Sequence, residues 1–217
     1  MIFSIDMYFM MISILAGVTV YFQPNSPLHL KLFPLFLLLT LSLEFVAGYM
    51  VSHEMHTTIL YNFFNIIQFG FFIYFSSNIL FDFKAKSRGK VLLGSYLIFA
   101  VLNICFFQKI RTYNSITYAV GCLCVVALCV YYFFELFRLK KFVKLTHEPS
   151  FWIITGLLFY FSCSFPLLTT ANFVQNIPEI IINSLQSLIQ LMNILLYSLF
   201  TIAFLCRIKI RKYILSL

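Results

Sequence analysis

Apolar residues run along this chain in seven long blocks, near Met7–Phe22, Leu32–Val51, Thr58–Leu80, Val91–Phe107, Ser115–Phe137, Phe151–Asn172 and Ser184–Cys206, and the charged residues collect between them. A helix that crosses a bilayer needs roughly 20 mainly apolar residues, with about 17–25 tolerated. Each block therefore predicts one crossing. The first and fourth are short for a full span and are expected to extend into their flanks or to tilt less. The connections around Phe81–Lys90, Leu139–Ser150 and Phe173–Asn183 are too short for a folded extramembrane unit. The expected fold is all-α: a polytopic membrane protein, one seven-transmembrane helix bundle over residues 1–217.

Polar positions inside the blocks carry the next level of information, because each costs free energy in lipid unless it finds a partner or water. In the seventh block Asn183, Gln186, Gln190, Asn193 and Tyr197 follow one another at spacings of 3, 4, 3 and 4. At about 100° per residue they share an arc of roughly 80°, a face expected to look into the bundle. The third block has a shorter stripe, Tyr61, Asn62, Asn65 and Gln68, over about 120°. Glu44 is the acidic residue set well inside an apolar run, about 20 Å along the second helix from Lys31. A carboxyl group there must be protonated, paired or hydrated. Asn103, Thr169 and Thr170 fall at a similar level.

Two readings of these stripes compete. One is a polar pocket between helices two, three, six and seven, opening outward, with Glu44, Asn62, Asn65, Gln68, Gln186, Gln190 and Asn193 as ligand-binding residues. The other is interhelical bonding alone, worth about 0.6–2 kcal/mol per bond. Pro166 adds a candidate hinge in the sixth helix: it cannot donate to the carbonyl of Ser162, and Thr155, Ser162 and Thr169 repeat every seven residues along its side.

Charge orients the bundle. Lys31, then Lys84, Lys86, Arg88 and Lys90, then Arg138, Lys140, Lys141 and Lys144, then Arg207, Lys209, Arg211 and Lys212 occupy one alternate set of connections, 13 of the 15 basic residues; the other set holds Lys109 and Arg111. Basic residues in short connections stay on the cytoplasmic side. The N-terminus is thus expected outside and the C-terminus in the cytoplasm, in the cytoplasmic (inner) membrane. The opening Met-Ile-Phe-Ser-Ile-Asp lacks the basic flank of a signal peptide, so the first helix is expected to stay in the mature protein.

Composition agrees with the solvent that this pattern implies: 62% of residues are apolar and 10% charged, against about 25% charged in soluble domains. The net charge of +8 comes from the topology blocks rather than from a nucleic-acid surface. Cys105, Cys122, Cys124, Cys129, Cys163 and Cys206 all fall in the apolar blocks, where a thiol packs as a small hydrophobe. His53-Glu54-Met55-His56 places two imidazoles one turn apart beside a carboxylate, but the zincin spacing and a further ligand are missing, so His53 and His56 are weak metal candidates and neither metal nor cofactor is expected. Phosphate-loop, nucleophile-elbow and kinase signatures are absent from the sequence, and the seventh block has no lysine for a retinal Schiff base. Catalysis is not expected.

Two stretches, Leu60-Tyr61-Asn62-Phe63-Phe64-Asn65-Ile66-Ile67-Gln68-Phe69 and Phe151-Trp152-Ile153-Ile154-Thr155-Gly156-Leu157-Leu158-Phe159-Tyr160-Phe161-Ser162, resemble helices three and six of small bacterial seven-helix proteins similar to the membrane sensor module of certain histidine kinases. Met192-Asn193-Ile194-Leu195-Leu196-Tyr197 through Arg207 is similar to that family's last helix. The resemblance implies a signal-sensing module without its own kinase domain. Its partners would be membrane lipids and a separate cytoplasmic or membrane output protein. The expectation is a receptor-like or sensor-like protein binding a ligand or lipid from outside. A small transporter or channel is the first alternative, and a membrane-embedded lipid hydrolase using Glu44, His53 and His56 the second.

Overall fold

The computed structural model describes residues 4–23, 26–108, 112–138, 145–173 and 179–214. Lys109, Arg111, Lys140, Lys141 and Lys144 lie outside these, as do the side chains of Thr169, Thr170, Asn183, Arg207, Lys209, Arg211 and Lys212. The helices are α1 (Ile5–Val18), α2 (Leu28–Ser52), α3 (Thr58–Ile79), α4 (Phe83–Leu102), α5 (Ser115–Arg138), α6 (Pro149–Phe173) and α7 (Glu179–Ile214). Among the described residues there is no strand.

Six of the seven, α2 to α7, are long and apolar enough to cross a membrane, the mark of a multi-pass membrane protein. The expected first crossing is shorter than the sequence pattern suggested. α1 has 14 residues, about 21 Å of helix against a hydrocarbon core of about 30 Å. The chain leaves it through turns at Thr19–Phe22 before α2 begins. Exposed apolar side chains ring the molecule, with Leu15, Leu35, Ile67, Ile98, Leu123, Phe159 and Leu191 each standing out from a different helix. Such a surface is an association hazard in water and a solvated one in lipid.

α4 departs most from its predicted bounds. Asp82 caps it by accepting from the Lys84 N–H at 3.1 Å. The Glu135 carboxylate of α5 accepts the N–H groups of Phe81 and Asp82 at 2.6 and 3.3 Å. Asp82 thereby satisfies one orphan donor of the first turn, and Glu135 fixes the two residues that lead into it. Lys84, Lys86, Arg88 and Lys90, assigned to a loop by their charge, therefore lie in the first turns of α4. At its other end α4 widens into a π-helical turn, Asn103–Phe107.

α7 packs between α1 and α6, α6 lies on α5, α3 touches α2, α4 and α5, and α1 lies on α2, which closes the ring. Contacts at both ends show that consecutive helices run in opposite directions. Asp6 meets Asn193 and Glu44 meets Tyr61 at the end holding the N-terminus. Glu135 meets Phe81 at the other. α1 approaches α2 closely at Gly17, where a Cβ would stand 2.8 Å from Pro34 Cγ. The half of the bundle away from the N-terminus is filled by aromatic rings. Phe33, fully buried, is surrounded by Phe36, Phe71, Phe72, Phe75, Phe200 and Phe204 at centroid distances of 4.8–6.5 Å, separations at which aromatic pairs attract.

Candidate functional site

The α7 stripe enters the bundle obliquely. Gln186 is exposed, Gln190 and Asn193 are half-buried and Tyr197 is buried, so the polar face descends from the surface toward the interior. Its facing partner is α1. The Asn193 Nδ2 donates to Asp6 Oδ2 at 3.0 Å, while Asp6 Oδ1 is buried and has no hydrogen-bond partner. Around this pair lies a cleft of about 450 Å³, open to the surface and lined by Ser4, Asp6, Gln186, Ser187, Ile189, Gln190 and Asn193. Gln186, Gln190 and Asn193 share one lining, and the cleft they line lies between α1 and α7 rather than between helices two, three, six and seven.

Glu44 forms a neighbouring polar point. Half-buried on α2, it accepts a hydrogen bond from the Tyr61 hydroxyl of α3 at 3.2 Å. Asp6 is close enough to act on Glu44 electrostatically. Helices α1, α2, α3 and α7 therefore contribute to one polar level near the N-terminal end of the bundle. A low-dielectric surrounding strengthens interactions among such groups and with any charged ligand.

The α3 stripe does not join the cleft. Asn62 is 1% exposed; its Nδ2 donates to the Thr112 carbonyl at 2.8 Å and its Oδ1 accepts from the Asn114 N–H at 3.0 Å. It fastens the segment leading into α5. Asn65, also buried, leaves its Nδ2 without a hydrogen-bond partner. Gln68 is half-buried on the same helix. Asn103 belongs to a further network, donating to Gln108 Oε1 and Thr117 Oγ1, both at 2.8 Å, and so holds the π-helical turn against α5.

His53 and His56 are exposed, and the His53 Nδ1 lies 3.0 Å from the Tyr49 carbonyl. No group of three metal-ligating side chains occurs among the described residues. α6 runs through Pro166 as one helix, and Thr155 returns its hydroxyl to the Phe151 carbonyl at 2.7 Å. The described cysteines are all free thiols.

Asp6 is the residue that sequence reasoning overlooked. It precedes the first apolar block, so it reads as a flank, although the absence of any basic neighbour in residues 1–30 sets this carboxylate apart. No family model, curated protein or solved structure matches this chain.

Proposed function

We propose that this chain is a receptor-like membrane protein that binds a small ligand with a cationic head in the α1/α7 cleft, from the outer side, and passes the binding event to a separate output protein. The observation that carries this reading is Asp6 in the lining of an open polar cleft, its Oδ2 held by Asn193 and its Oδ1 without a hydrogen-bond partner. An acceptor of this kind suits an ammonium donor, and Glu44 nearby adds to the attraction. The reading takes the cleft end of the bundle as outside, supported by the 13 of 15 basic residues on the opposite set of connections. It also takes α1 as a seventh, short crossing.

Transport is the weaker alternative because the polar level does not continue. Beyond it the rings around Phe33 fill the space between α2, α3 and α7, and a transport path needs groups that solvate its cargo. A lipid hydrolase is weaker still, since His53 and His56 are exposed in the turn after α2 while the Glu44 carboxyl bonds Tyr61.

The test uses n-propylammonium chloride and sodium propionate as probes at equal ionic strength. Propylammonium is expected to raise the melting temperature of the purified protein with saturation, as any ligand selective for the folded state does. Propionate should not, and Asp6→Asn should remove the shift. Radiolabelled propylammonium is expected not to accumulate in proteoliposomes. Equal shifts in wild type and Asp6→Asn would remove the cleft from the binding site, and uptake would replace the receptor with a transporter.

A further inference from the structure

At the end of the bundle away from the cleft, α4 and α5 part to leave a groove of about 310 Å³ lined by Leu80, Ala85, Arg88, Gly89, Leu92, Ala127, Leu128 and Tyr131. Along α4 the lining recurs at Ala85, Arg88, Gly89 and Leu92, the repeat of one helix face, over about 10 Å. Small side chains at Ala85 and Ala127 line the space, while Gly89 lets α4 approach α3, a Cβ there falling 2.6 Å from Ser77 Cβ. The groove is an apolar trough with a single cation at its wall. The surroundings are apolar as well: Phe134, three residues past Tyr131 on α5, is exposed. Past Lys90, α4 carries no charged residue, so Arg88 stands where the basic start of the helix gives way to its lipid-facing length.

The guanidinium is positioned. Its Nη2 donates to the Tyr131 hydroxyl at 3.3 Å and its Cζ lies 5.8 Å from the Tyr131 ring centroid, a cation–π geometry. The nearby carboxylates are engaged elsewhere, Asp82 with the Lys84 N–H and Glu135 with the Phe81 and Asp82 N–H groups. No carboxylate pairs with Arg88 among the described residues. Lys84 lies one turn away on almost the same face, exposed. A planar guanidinium with free donors, a second cation beside it and an apolar trough below match a phosphate attached to an acyl chain.

We propose that the α4/α5 groove binds one anionic phospholipid, with an acyl chain in the trough and its phosphate on Arg88 and Lys84. The site is independent of the α1/α7 cleft and holds whether or not that cleft takes an ammonium ligand.

Native mass spectrometry of the detergent-purified full chain tests this with phosphatidylglycerol and phosphatidylcholine of identical acyl chains, and glycerol 3-phosphate as the head group alone. One phosphatidylglycerol is expected to bind at least about fivefold more tightly than phosphatidylcholine, the effect of roughly one basic residue at an anionic lipid surface. Arg88→Gln should abolish that preference and Lys90→Gln, outside the groove, should keep it. Ala127→Leu, which fills the trough and leaves the charges, should weaken both lipids, and it decides the matter if Arg88→Gln does not fold. The proposal is overturned if Arg88→Gln retains the preference, if Lys90→Gln loses it equally, if Ala127→Leu binds lipid as wild type does, or if glycerol 3-phosphate competes as well as the whole lipid. A dimer of the chain that excludes lipid from the groove would also overturn it.

Discussion

Gly121→Val is expected to lower the stability of this protein in detergent sharply. Gly121 faces the ring of Phe69, and a Cβ at this position would lie 2.5–2.7 Å from three ring carbons. The ring cannot retreat. Phe69 is fully buried, with Tyr118 and Phe161 each at a centroid distance of 5.2 Å and Tyr96 at 6.0 Å. Overpacking usually costs about 1–3 kcal/mol; with so little room for relief, a loss of at least ~3 kcal/mol is expected, a large share of the stability of most proteins. Phe69→Ala alone should cost about 3–5 kcal/mol by leaving a cavity. The double variant should be more stable than the sum of the two losses, because the cavity accepts the new side chain. Heat denaturation followed by size-exclusion chromatography reads all three proteins, and strict additivity would show that α3 and α5 do not meet at this point.

Asn62→Leu is expected to have the second largest effect, on stability rather than on any ligand. Its amide bonds Thr112 and Asn114, some fifty residues away in sequence, in a site with almost no water access. Leucine keeps the branching and the number of side-chain heavy atoms and removes both bonds. A buried polar group deprived of its partner costs about 1–3 kcal/mol, so a loss of about 2–5 kcal/mol is expected, with hydrogen exchange rising at the amide of Asn114. Asn193→Leu, in the open cleft, should cost less, on the scale of about 0.6–2 kcal/mol for a bond between membrane helices. Equal losses at the two positions would mean that the two amides do the same work.

The contrast between these asparagines shows what the sequence could and could not disclose. Apolar blocks located α1 to α7, and six of these are long and apolar enough to cross a membrane because lipid demands a continuous apolar length. Boundaries moved where charge and capping disagree. Lys84, Lys86, Arg88 and Lys90 mark a side of the membrane, yet lysine and arginine are good helix formers, and the acceptors Asp82 and Glu135 let α4 begin at Phe83. Spacing placed Gln186, Gln190, Asn193 and Tyr197 on one face, which is a property of a single helix. Which helix that face meets depends on packing, and α1 rather than α3 supplies the partner. Periodicity also could not tell Asn62, satisfied by backbone 50 residues away, from a ligand-binding amide. Asp6 lay outside every periodic pattern, so only its meeting with Asn193 revealed it.

Labelling of Gln190→Cys in intact cells tests the outward-opening cleft most directly. A membrane-impermeant, cationic methanethiosulfonate reagent should modify Cys at this position from outside, above the wild-type background of the six native thiols, and Asp6→Asn should slow the reaction. Modification only after the cells are made permeable would place the cleft on the cytoplasmic side and contradict it.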